Sequence, residues 1–266
     1  MSIAVISDVH GNLPALESVL ADAAACGVEC VVNLGDAVSG PLWPAETANR
    51  LMALGLPTIR GNHERQLLSL PIERMGPADA FAAAALTAGQ RDWLASLPET
   101  MDLSARGFCC HGTPGSDLHY FLETVTPGGC RGPAEPGLRA ATPEEAAERA
   151  GTVRHGLILC GHTHVPRLLQ LADGRLIVNP GSVGLQAFDD DHPRPHVAQN
   201  GTPHARYALL TRRRDGWQVD LRALPYDWES AARRAEANGR GDWADALRSG
   251  RVGRWEAGAP PLISRP

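Results

Sequence analysis

Short apolar runs recur along the chain, and most of them stop at a residue able to do chemistry. Residues 3–7 (IAVIS) end at Asp8, and Leu13, Leu16, Val19 and Leu20 then recur at helical spacing across 13–26. The strand, loop and helix unit repeats. CVVNLG at 30–35 precedes a helix near 44–54, and LPTIRGN at 56–62 precedes another near 63–70. Strands alternating with helices imply a largely parallel α/β sheet, in which ligands sit beyond the carboxyl ends of the strands.

The middle of the chain, about 77–96, is alanine-rich and reads as helical. ETMDLSA and RGFCCHG then pair as a hairpin. Residues 112–141 are rich in Gly and Pro and read as an irregular excursion with a short helix around DLHYFLE. At 142–145 TPEE offers an N-cap threonine, a proline at the first helical position and a glutamate at the third, so a helix should run to about Ala150. Three strands follow, in GLILCG, PRLLQLA and RLIVNPG. Beyond a polar stretch, ARYALLTRRRDGWQVDLRAL reads as a hairpin turning at Asp215-Gly216. Antiparallel strands this late imply a second sheet packed on the first. From Tyr226 the pattern is helical and amphipathic, ending in a Gly/Pro-rich extension expected to fray.

The bulk numbers narrow the classes. With 266 residues, 43% apolar and 21% charged, the chain can bury a sizeable core and matches neither disorder nor a membrane protein. No apolar stretch is long enough to cross a bilayer. MSIAVISDVHGN carries no basic leader pattern, so a cytoplasmic address is the expectation. The net charge of -5 counts against a nucleic-acid binder. All 25 basic residues counted as Lys+Arg are arginines; they are scattered, and a coding bias accounts for them without a functional reading. The six cysteines form no C-x-x-C pair and read as reduced core thiols.

The strand ends carry the chemistry. They supply Asp8 and His10, then Asp36, then Asn62, His63 and Glu64, then His111, and finally His162 and His164. Carboxylate, imidazole and amide donors at one sheet edge suit borderline metals. Asp8, His10, Asp36, Asn62, His111, His162 and His164 exceed what one tetrahedral ion needs, whereas two ions sharing Asp36 would each receive four ligands. In extended chain His162 and His164 would stand about 6.6–6.8 Å apart on one side, one for each ion. Two metals so placed clamp the attacking and leaving oxygens of a phosphoryl transfer.

The series Asp-x-His, Gly-Asp, Gly-Asn-His-Glu, His-Gly and Gly-His-Thr-His, in that order, resembles the calcineurin-like metallophosphoesterases over residues 1 to about 225. The resemblance implies a four-layer α-β-β-α sandwich, two packed mixed sheets flanked by helices, with a dinuclear centre at one edge. It makes 1–225 the metallophosphoesterase domain and 226–266 a helical appendage packed on it. Asp8, His10, Asp36 and His164 would hold one ion, and Asp36, Asn62, His111 and His162 the other. Manganese or iron is expected, and the same donors accept zinc, cobalt or nickel. His63 would contact the phosphate or protonate the leaving alkoxide, while a hydroxide bridging the metals attacks phosphorus. VNPGSVG at 178–184 is similar to a strand and turn near the site in small bacterial members.

The implied substrates are small phosphodiesters or phosphomonoesters, nucleotides among them. A dinucleoside polyphosphate hydrolase and a phosphoprotein phosphatase are alternatives, the second weakened because GDAVSGPLWP lacks the arginine that protein phosphatases carry after Gly-Asp. A non-catalytic scaffold would have lost ligands, and none is missing. The 186–207 segment is longer than compact members have, and its Asp189, Asp190, Asp191, His192, His196 and His204 read as a solvated acidic loop rather than a third metal site. Glu64 reads as a cap or an arginine partner, His119 and Tyr120 as surface residues with some prospect of touching substrate, and His155 as without a role.

Overall fold

In the computed structural model, residues 1–104, 107–127 and 137–253 are described. The order begins β1 (Ser2–Ile6), α1 (Leu13–Ala25), β2 (Cys30–Asn33), α2 (Pro44–Leu54), α3 (Asn62–Ser69), α4 (Pro77–Ala85) and α5 (Ala88–Ser96). It continues through β3 (Thr100–Asp102), β4 (Phe108–Cys110), β5 (Glu123–Val125), β6 (Leu138–Ala140), α6 (Pro143–Ala150), β7 (Leu157–Leu159), β8 (Arg167–Gln170) and β9 (Leu176–Asn179). It closes with β10 (Ala187–Asp190), β11 (His196–Gln199), β12 (Ala205–Arg213), β13 (Gly216–Leu224), α7 (Trp228–Ala237) and α8 (Gly241–Ser249).

Nine of these strands form the two main sheets, of order β13-β12-β1-β2 and β3-β4-β7-β9-β8, and β5-β6 and β10-β11 form two separate two-stranded sheets. In β1, Ile3 and Val5 face the second sheet, where with Val32, Leu34, Ile59, Ala208 and Leu210 they meet Cys109, Leu157, Leu159 and Val178. Ala4 and Ile6 point the other way, into a larger core formed with the helices, including Leu16 and Val19 of α1 and Trp243 and Leu247 of α8. On the far face of the second sheet, Cys110, Ile158 and Ile177 pack on Ala146 and Ala150 of α6. These three cores separate four layers, α-β-β-α.

Parallel pairings run β1 with β2 in the first sheet and β4 with β7 and β7 with β9 in the second. A parallel bridge from Asn33 to Thr58 extends the first sheet toward α3. The carboxyl ends of β1, β2, β4 and β7 therefore open on one edge of the sandwich.

Several expectations need correction. DLHYFLE forms no helix: its residues make bends, and Glu123 already opens β5. The supposed acidic loop at 186–207 is a β-hairpin, with β10 pairing β11 from Ala187 with Gln199 to Asp190 with His196; its period-2 pattern was hidden by charged side chains. The late hairpin β12-β13 does not build the second sheet but returns to the first, where β12 pairs antiparallel with β1. Its turn is centred on Arg214-Asp215, one residue earlier than read, because Gly216 at φ 151° is the first paired residue of β13. Cys109, Cys110 and Cys160 are buried thiols; Cys130 and the frayed extension at 254–266 lie outside the described residues.

No helix among the described residues is long and apolar enough to cross a membrane.

Candidate metal centre

Each strand of the open edge hands its chain to a tight turn, and those turns are conformationally unusual. Six non-glycine residues among those described have positive φ, and five are Asp8 (56°), His10 (50°), Asp36 (52°), His162 (69°) and His164 (60°). Left-handed backbone costs a side-chain-bearing residue roughly 1–2 kcal/mol, and such strain concentrates where a site must aim its side chains. The turns brace one another. The backbone amides of Asp8, His10 and Gly11 donate to the carbonyls of Gly35, Asp36 and Ala37 at 3.0, 2.9 and 3.0 Å. Gly61 lets the third turn close in, since a Cβ there would overlap Asp36 Oδ1.

Buried Glu64 ties these turns together. Its carboxylate accepts from the amides of Asp36, Ala37 and Gly61, each at 2.8 Å, which makes it the cap of α3, with no arginine partner among the described residues. Asn179, at the end of β9, does the same for Gly-His-Thr-His: its Nδ2 donates to the Gly161 carbonyl at 2.7 Å and to Thr163 Oγ1 at 3.0 Å. Ser182 Oγ donates to the Asp8 carbonyl at 2.8 Å, so VNPGSVG lies beside the site.

The seven predicted ligands converge. Donor atoms of Asp8, His10 and His164 lie within 4.8 Å of one another, and so do those of Asp36, His111 and His162. Asn62 Oδ1 is 3.1 Å from His111 Nε2, which is itself 3.0 Å from Asp36 Oδ2 and 3.9 Å from Asp8 Oδ1. Except for His162, which is half-buried, all seven are buried. His162 and His164 part company, though not because the chain is extended: both are left-handed, and the turn between them sends the rings to different clusters. A further set, His10 with Asp36 and His63, lies between those clusters.

Ring tautomers follow from the backbone. Nδ1 of His10, His111 and His164 donates to the carbonyls of Ser39, Leu34 and Leu185 at 2.7, 2.7 and 2.8 Å, which turns each Nε2 lone pair inward. His162 is reversed: its Nε2 donates to the Leu118 carbonyl at 3.1 Å.

The electrostatics ask for positive charge. Burial, reinforced by His164, lowers His10 to about 4, so this ring is neutral. Its Nε2 nevertheless stands 3.0 Å from His164 Nε2, lone pair to lone pair, with Asp8 Oδ1 3.5 Å from His164 and lacking any hydrogen-bond partner. Buried acceptors facing one another are costly unless a cation or proton lies between them. In the second cluster burial works against charge on His111, yet Asp36 overrides it and raises the ring to about 9. Asp36 is held well below the usual carboxylate range, its burial outweighed by His111 and His63. The donor set and the orphaned oxygen fit divalent metal ions.

Sequence reasoning missed Asp79, in the first turn of α4, where it resembles an ordinary helix-start acid. It is buried, accepts from His63 Nδ1 at 2.8 Å and takes the Ser39 hydroxyl at 2.5 Å. Burial disfavours the His63 imidazolium, but Asp79 and Asp36 outweigh it and raise the ring to about 10. Its centroid is 5.3 Å from that of His10.

The β10-β11 hairpin walls the centre: the Phe188 ring lies 4.7 Å from His164, and Tyr120, T-shaped against His162 at 4.9 Å, hydrogen-bonds His196 Nε2 through its hydroxyl at 2.8 Å. His119 is exposed, and His155 pairs with Asp102 at 3.0 Å. Asp190, Asp191 and His192 come within metal-binding reach of one another but form an acidic surface cluster. A cavity of about 600 Å³ opens between His155 and Trp217 and includes none of the seven.

Comparison with known proteins accords with this geometry. Residues 1–198 match the model of the calcineurin-like phosphoesterase superfamily domain. The chain belongs to that family. The chain is 25% identical to a metallophosphoesterase from Sphaerobacter thermophilus whose crystal structure superposes with a TM-score of 0.70, covering 93% of this chain and 98% of that one. The fold is shared with the hypothetical protein PH1004 from Pyrococcus horikoshii, at a TM-score of 0.72, 17% identity and coverage of 94% and 98%. An uncharacterised Methanocaldococcus jannaschii protein, MJ0912, is 24% identical over 91% of this chain and 94% of its own. Membership of this family supports hydrolysis of phosphate esters, and the family implies divalent metal ions.

Proposed function

We propose that this protein is a dinuclear metal-dependent hydrolase of small phosphate esters. Asp8, His10, Asp36 and His164 would hold one ion, and Asp36, Asn62, His111 and His162 the other. The observation that carries this reading is the lone-pair contact of His10 and His164 beside the orphaned Asp8 oxygen, which only a cation or a proton relieves. Two divalent ions there would acidify water and neutralise charge developing on phosphorus. The chain's own part is positional. Backbone carbonyls fix the three inward Nε2 atoms, and Glu64 fixes the turn bearing Asp36.

His63 keeps a proton. Asp79 holds its Nδ1, so its Nε2 hydrogen is free to pass to a departing alkoxide, the role of a general acid. The hairpin wall supports small substrates over a phosphoprotein, because Phe188 and Tyr120 stand directly against two of the imidazoles.

The test is metal analysis joined to a hydrolysis screen. Protein refilled with Mn, Fe, Zn, Co or Ni should carry two ions per chain and release p-nitrophenol from p-nitrophenyl phosphate or its diester. His162→Ala and His164→Ala should each lose one ion, at different positions. Fewer than two ions, or loss of the same ion in both variants, contradicts the assignment.

A further inference from the structure

A cavity of about 260 Å³ shares a wall with the centre: Gly61 and His111 line it, together with Arg60, Arg65, Thr113 and Ser116. The two arginines bracket Gly-Asn-His-Glu in the sequence, one residue before it and one after, and they are the cationic part of this lining.

Both guanidiniums are held in place and still have donors to give. Arg65 is gripped by Asp117 through Nε at 2.6 Å and Nη2 at 3.1 Å, which leaves Nη1 without a partner among the described residues. Arg60 gives Nη2 to Glu99 at 2.8 Å, while its buried Nε has no acceptor among the described residues. A buried unsatisfied guanidinium N–H is costly. Glu99 is 76% exposed, so water screens its hold on Arg60 and an incoming anion competes with a weak pair. The turn that carries Thr113 and Ser116 is rigid, its ends joined by amide-to-carbonyl bonds of 2.8 and 3.2 Å.

Resting on the function proposed above, we infer that this cavity receives a second phosphate of the substrate, and that the preferred esters are bisphosphates rather than simple monoesters. A guanidinium fork matches a phosphate's oxygens. The shared wall means an ester whose scissile phosphate lies beside His111 can extend its remaining portion toward Arg60 and Arg65.

The experiment uses the metal-loaded protein and α,ω-alkanediol bisphosphates of two to six carbons, each against the alkyl monophosphate of equal chain length, with release of inorganic phosphate measured. One bisphosphate should exceed its monophosphate in kcat/KM by at least about tenfold, the scale of one charge-assisted hydrogen bond. Arg60→Gln and Arg65→Gln, checked for folding by circular dichroism, should each bring that ratio down toward one, mainly through KM; Arg65→Lys should recover part of it. A native ratio near one at every length, or variants that lose both substrates equally, overturns the inference. Should p-nitrophenyl phosphate survive every metal untouched, the phosphoesterase reading falls and takes this one with it. Turnover of p-nitrophenyl phosphate without a bisphosphate preference removes this one alone.

Discussion

Asp79→Asn isolates the role of His63. The substitution keeps the side chain's shape and removes its charge, turning a charge-assisted contact of 2.8 Å into a neutral one. Hydrogen bonds to charged groups contribute roughly 1.5–3 kcal/mol against about 1 for neutral pairs, so about 1–2 kcal/mol of imidazolium stabilisation disappears. At 1.36 kcal/mol per unit, His63 should fall by about one pKa unit or somewhat more from its value of about 10. Histidine NMR titration of the metal-free protein reads that shift. For catalysis the leaving group decides. An alkyl phosphate needs its alkoxide protonated, whereas p-nitrophenolate departs unaided, so His63→Asn should lose roughly a hundredfold in kcat on the alkyl ester and far less on the aryl ester. Asp79→Asn, whose His63 stays protonated at neutral pH, should lose much less on either. Asp79 also receives Ser39, whose carbonyl orients His10; unchanged metal content would exclude damage by that route. Equal losses on both esters in His63→Asn would refute general-acid catalysis and leave His63 a phosphate contact or a structural ring.

Two further outcomes follow from the same geometry. Because folding raises the His63 pKa from 6.5 to about 10, its stabilisation is complete below about pH 6.5 and is lost as pH rises through 10; chemical denaturation of the metal-free protein against His63→Asn should show a difference that shrinks across that window and vanishes above it. Chelation should lower the melting temperature: two ions at 100 times their Kd contribute about 5 kcal/mol together, worth roughly 10–20 °C at this chain length, and a scan that does not move with added metal would deny that the lone-pair clusters bind ions.

What the sequence disclosed, and what it withheld, divides along a physical line. Residues that end apolar runs are legible because a parallel sheet must place them on one edge, and Asp8, His10, Asp36, Asn62, His111, His162 and His164 do meet there. Helix α6 was legible from Thr142, Pro143 and Glu145, whose capping box forms as written. Partners set by tertiary packing were not. Asp79 reaches His63 across the gap between α3 and α4, and its own helix gives no periodic sign of it. Asn179 and Ser182 brace the turns, through backbone carbonyls and the Thr163 hydroxyl, rather than meeting the ligand side chains. The hairpin walling the centre passed for a loop because Asp189, Asp190 and Asp191 masked its alternation.

The two sheets contribute unequally to the centre, and this has a mechanical consequence. Asp8, His10, Asp36 and Asn62 stand on the first sheet, and His111, His162 and His164 on the second. Ions held among them as proposed would rivet one sheet to the other, and the spacing of the rivets would be inherited from the apolar seam of Ile3, Val5 and Leu34 against Leu157, Leu159 and Val178. A seam that slides by a fraction of an ångström detunes the centre long before the sandwich comes apart. The foundations of this chemistry therefore lie in residues that carry no polar side-chain atom.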